Sequence, residues 1–131
     1  ANSSGFTSPP YDTRTGYLRR SPAFNADRIK TPLLMQLGET EHREMLQLWS
    51  SLRDYGRAVE MIVYPEGLHI KNNPRQRLSV YQRNVDWVEF WLRGRERRGE
   101  ATEYERWRIM REKQCKLFDD SDGARRPVYC D

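Results

Sequence analysis

The chain has 131 residues, 37% hydrophobic and 32% charged, which suits one domain with a thin core. No stretch approaches the roughly 20 apolar residues that cross a bilayer, and the opening ANSSGFTSPP lacks the basic start and apolar run of a signal peptide. The net charge is +4, but arginines are interspersed with glutamates between Arg93 and Lys113, the pattern of a solvated helix face, which argues against nucleic-acid and membrane partners.

In chain order, residues 1–23 form a loop-rich lead-in of Ser, Pro, Gly, Thr and Asn. One helical turn is predicted over Pro22–Ile29. Leu33–Leu37 (LLMQL) is almost wholly apolar, as in a parallel strand buried on both faces, and Gly38 ends it. From His42 to Tyr55 the spacing of Met45, Leu46, Leu48, Trp49, Leu52 and Tyr55 predicts a helix, stopped by Gly56. A second strand follows over Ala58–Tyr64, so the order is strand, helix, strand with tight connections, a βαβ unit. After the loop YPEGLHIK, Arg75–Arg93 carries a broad apolar stripe including the core aromatics Trp87 and Trp91, and Gly94 closes it.

Residues 24–94 thus read as one unit, and 95–131 as a charged hinge, a last helix and a tail. Thr102-x-x-Glu105 predicts a capping box for that helix, which runs to about Lys116 with Tyr104 and Trp107 inward. The tail from Asp119 reads as loop. Cys115 and Cys130 lack zinc-ligand spacing; a disulfide and two free thiols both stand, and the compartment stays open.

Two apolar parallel strands do not make a sheet stable by itself, because both faces and the flanking edges need cover. The expectation is therefore an α/β fold forming the C-terminal part of a larger domain, with the N-terminal remainder of the same polypeptide as its packing partner.

Reactive groups gather beyond the carboxyl ends of parallel strands. There the first loop carries Glu39, Glu41 and His42, and the second carries Glu66 and His69. An acid and then a histidine, each after its own strand, match the last two members of the order Ser…Asp/Glu…His. No Gly-x-Ser-x-Gly occurs, so the nucleophile and its oxyanion hole are not in this sequence. Taken singly, a loop histidine is ordinarily a surface residue, and an acid at a helix start ordinarily serves the helix dipole.

The runs SPAFNADRIKTPLLMQLGETEHR, LWSSLRDYGRAVEMIVYPEGLHI and VYQRNVDWVEFWLRG resemble the C-terminal end of the prolyl oligopeptidase family of serine peptidases, an α/β-hydrolase fold. The details, including His69-Ile70-Lys71 and Tyr104-x-x-Trp107-Arg108, are most similar to the lasso peptide isopeptidases within it. The resemblance implies His69 as the catalytic histidine and Glu41 as the triad acid, with Glu39 as its rival. Lys71 and Arg75 are candidate substrate-binding residues. It implies a lasso peptide substrate and neither metal nor organic cofactor. The alternatives are an aminopeptidase or dipeptidyl peptidase on linear peptides, and a basic, non-catalytic binding module.

Overall fold

The computed structural model describes residues 14–66, 69, 71–121 and 125–131. Residues 1–13 of the expected lead-in, and Gly67, Leu68 and Ile70 of the YPEGLHIK loop, lie outside the described residues. The elements are α1 (Arg14–Arg20), a 3-10 turn (Ala23–Arg28), β1 (Leu33–Gly38), α2 (His42–Asp54), β2 (Val59–Tyr64), α3 (Pro74–Arg93), α4 (Ala101–Asp119) and a 3-10 turn (Val128–Cys130).

β1 and β2 pair in parallel, from Leu33 opposite Val59 to Gly38 opposite Tyr64. Strand alternation then sorts side chains to two faces. Leu33, Met35, Leu37, Val59 and Met61 pack with Ala26, Leu48 and Leu52 on the α2 side. Leu34 and Ala58 join Trp87, Phe90, Trp91, Tyr104 and Trp107 on the side of α3 and α4. The result is a sheet between helical layers, an α/β arrangement.

The polar residues of the strands follow the same alternation. Gln36 donates to Asn84 Oδ1 at 2.7 Å and accepts from the Tyr64 hydroxyl at 2.8 Å. The buried carboxylate of Glu60 accepts from Arg106 at 2.8 Å and from the indole N–H of Trp107. These bonds lock α4 against β2, since a buried charge left unpaired costs several kcal/mol. Gln114 of α4, with no exposed surface, reaches the strand entrances. Its Oε1 accepts from Ala58 N at 2.9 Å, and its Nε2 donates to Lys30 O at 2.7 Å.

Four local expectations give way. Arg14–Arg20 is helical where composition predicts loop; the Asn25 amide takes up the carbonyls of Leu18 and Ser21 at 2.6 and 2.8 Å, satisfying groups that a helix end leaves orphaned. The capping box is not formed. Helix α4 starts earlier, at Ala101, with Glu100 as its N-cap and no side-chain cap bond, while Glu103 is held by Arg83 at 2.7 Å. β1 is only half covered, with Met35 and Gly38 its buried members, because the described chain places no strand on its far edge. The tail beyond Asp119, expected as loop, ends in the 3-10 turn Val128–Cys130, fastened to α4 by a Cys115–Cys130 disulfide with Cα atoms 5.6 Å apart, and Tyr129 sits edge-on to Trp91 at 5.0 Å.

Gly56 and Gly94 close α2 and α3 as expected, with φ of 66° and 64°. At Gly56 a Cβ would also stand 3.1 Å from the Leu117 side chain, a tight contact that would require Leu117 of α4 to shift.

The Gln114 bridge yields a stability prediction. Gln114→Ala strips the side-chain acceptor from the buried Ala58 N–H and leaves the Lys30 carbonyl only its longer bond from the Tyr129 hydroxyl at 3.3 Å, and lowers stability by about 1–3 kcal/mol. Urea unfolding reads this as a lower midpoint at unchanged slope; an unmoved midpoint contradicts the bridge.

Candidate active site

Since Gly38 is the register partner of Tyr64, the loops after β1 and β2 leave the sheet at one level. The first loop turns tightly. Glu41 N donates to Gly38 O at 3.1 Å, and Gly38 N donates to Glu41 Oε2 at 2.9 Å. Glu41 is the N-cap residue of α2, yet its carboxylate makes no cap bond to that helix and turns back toward the strand end. The ordinary task of an acid at a helix start is thus not what its oxygens do.

The second loop is tied at both ends. Gln76 of α3 donates to Pro65 O at 3.1 Å, and Asn73 caps α3 by accepting from Arg75 N at 3.0 Å. Glu66 adopts a left-handed conformation with φ of 54°, and its N–H donates to Glu39 Oε2 at 3.0 Å. Glu39 therefore stitches one loop to the other through backbone. The acid that meets the imidazole is Glu41, whose Oε1 contacts His69 Nδ1.

This contact fixes the chemistry available. An ionised carboxylate only accepts, so Nδ1 of His69 donates to it and Nε2 is left with its lone pair. The Glu41 side chain is 26% exposed and that of His69 87%, so the carboxylate is sheltered while the imidazole lies open to solvent. The Gly38 amide is the largest influence holding the Glu41 pKa below its ordinary value, followed by the bond to His69, with Lys71 adding a smaller pull.

The other candidates fall in different places. Lys71 Nζ lies 4.0 Å from Glu41 Oε2, the carboxylate oxygen that does not meet His69. Arg75 is exposed in the first turn of α3 and lines a cleft of about 370 Å³ with Ser79, Gln82, Arg83, Asp86 and Arg97. His42 puts its Nδ1 2.5 Å from Glu39 O. Among the described residues, no three His, Cys, Asp or Glu side chains gather where a metal ion could be held. Sequence reasoning missed that Lys71 faces the acid; its position two residues past His69 is the only signal that could have raised it.

Comparison with known proteins agrees with this architecture. Residues 3–95 match the prolyl oligopeptidase family. The chain belongs to that family, and its fold is of the α/β-hydrolase type. Over 89 residues it is 39% identical to lasso peptide isopeptidase AtxE2 of Asticcacaulis excentricus, spanning 66% of this chain and 13% of that protein. Two solved structures of AtxE2 isopeptidase, one without ligand and one of a Ser→Ala variant with astexin3-dC4 bound, each superpose with a TM-score of 0.72 at 36% identity. They cover 75% of this chain and 15% of theirs. The chain thus spans less than a sixth of the relatives it matches.

The lowered Glu41 pKa sets a pH window. The ionised carboxylate stabilises the fold above its ordinary 4.5, and this contribution is lost as pH falls through the lower folded value. The stability difference between wild type and Glu41→Gln in urea titrations should persist on acidification to 4.5 and shrink only below it. A difference already gone above that pH contradicts the assigned hydrogen bonds.

Proposed function

We propose that this chain supplies the acid, Glu41, and the histidine, His69, of a Ser-Glu-His triad, with the serine borne by a preceding part of the same polypeptide. The reaction is hydrolysis of the isopeptide bond that closes the macrolactam ring of a lasso peptide. The observation that carries the triad is the contact between Glu41 and His69 across the loops after β1 and β2. The choice of bond rests on the 39% identity to a lasso peptide isopeptidase.

In this mechanism the serine hydroxyl attacks the side-chain carbonyl of the isopeptide bond while His69 Nε2 takes its proton. Glu41 holds the imidazole in the Nδ1–H tautomer and stabilises the imidazolium. The C–N bond then breaks, and His69 returns the proton to the leaving amine. Water attacks the acyl-enzyme with the same nitrogen as base, freeing the linear peptide and the serine. Arg75, exposed at the start of α3, would bind a substrate carboxylate or carbonyl, a task suited to a guanidinium fork.

The test uses the polypeptide that carries this segment together with the serine-bearing part. Incubated with a threaded lasso peptide and with its linear counterpart, it should open the ring, read by mass spectrometry as the gain of one water. Cleavage of the linear peptide alone would assign it to ordinary exopeptidase chemistry instead. His69→Ala and Glu41→Gln should each lower kcat roughly a thousandfold or more while leaving the protein folded; near-normal rates in either remove that residue from the triad.

A further inference from the structure

Lys71 follows His69 by two residues, on a loop where a lysine ordinarily keeps its ammonium in water. Here its side chain is only 11% exposed. Its ammonium lies 4.0 Å from Glu41 Oε2 and 5.9 Å from the centroid of the Tyr64 ring. That ring is itself fixed. The Tyr64 hydroxyl donates to Gln36 Oε1 at 2.8 Å and accepts from Arg83 Nη1 at 3.2 Å, and Arg83 in turn is held by Glu103 of α4.

The two oxygens of Glu41 are used differently. Oε1 meets His69, while Oε2 accepts the Gly38 N–H and faces the Lys71 ammonium. A glutamate has one more rotatable bond than an aspartate and so more freedom to lose when it must present one oxygen to an imidazole. Holding Oε2 from two directions removes the rotation that would turn Oε1 off the ring. Glu39, the other acid of the same loop, is occupied by the Glu66 amide and does not compete for the position.

We infer that Lys71 is a positioning residue, one that clamps the Glu41 carboxylate so that its free oxygen stays on His69. The inference rests on the triad reading above and gives Lys71 a task directed at the acid, with no contact to substrate. It also gives α4 a link to the reaction, through Glu103, Arg83 and the Tyr64 ring that Lys71 lies against.

A double-mutant cycle in the polypeptide with its serine-bearing part tests this on ring opening of a lasso peptide. Lys71→Met should lower kcat about tenfold with KM held within about twofold, and Lys71→Arg should recover most of the loss. In a Glu41→Gln background, Lys71→Met should add nothing, because the carboxylate it clamps is gone. A raised KM at unchanged kcat would overturn the inference by making Lys71 a substrate contact. A full further loss on top of Glu41→Gln would overturn it by making the effect independent of the acid. Near-normal turnover by Glu41→Gln alone would remove the triad, and the inference with it.

Discussion

The parallel register of β1 and β2 is the constraint on which the site depends. With Gly38 set opposite Tyr64, an acid three residues past one strand and a histidine five past the other start from a common level. A slip of one residue would exchange the two faces of a strand and carry its loop out of reach. The register is held by what the faces contain: apolar Leu33, Met35 and Leu37 toward α2, and Leu34 with the hydrogen-bonded Gln36 toward α3. The bond from the Glu66 amide to Glu39 then fixes one loop against the other beyond the end of the sheet.

Polar side chains, more than apolar area, specify how α4 docks. Its buried set includes Glu103 and Gln114 beside Tyr104, Trp107 and Phe118. Glu60 and Gln114 each find partners across the α4–β2 boundary, and a buried polar group is tolerated only in the register that pairs it. A slide of one turn would strand both. The disulfide from Cys115 to Cys130 then lays the end of the chain over Trp91. Arg97 makes a second fastening at the hinge by gripping both carboxylate oxygens of buried Asp86.

Much of this was legible in the sequence where one residue pattern had one physical outcome. The apolar runs LLMQL and VEMIVY gave strands, the spacing in α2 and α3 gave helices, and Gly56 and Gly94 marked their ends. Legibility failed where the outcome depended on a distant partner. Helix α1 is short and polar, and its end is satisfied by Asn25 from beyond it. Thr102 and Glu105 have capping-box spacing, yet Arg83 of another helix holds Glu103 and the helix begins elsewhere. Trp49, one of the residues whose spacing predicts α2, is only half-buried and lies under the Arg53 guanidinium at 4.7 Å. At the site, Glu39 and Glu41 are equivalent in composition and loop. Only backbone geometry separates the one that stitches loops from the one that meets the imidazole.

An ionised Glu41 that accepts from His69 dictates which ring nitrogen carries the proton. Nitrogen-15 NMR of histidine-labelled protein at a pH where the ring is neutral measures this directly. His69 should be protonated at Nδ1, and Glu41→Gln should shift the population toward the Nε2–H tautomer. The same tautomer ratio in both proteins would contradict it.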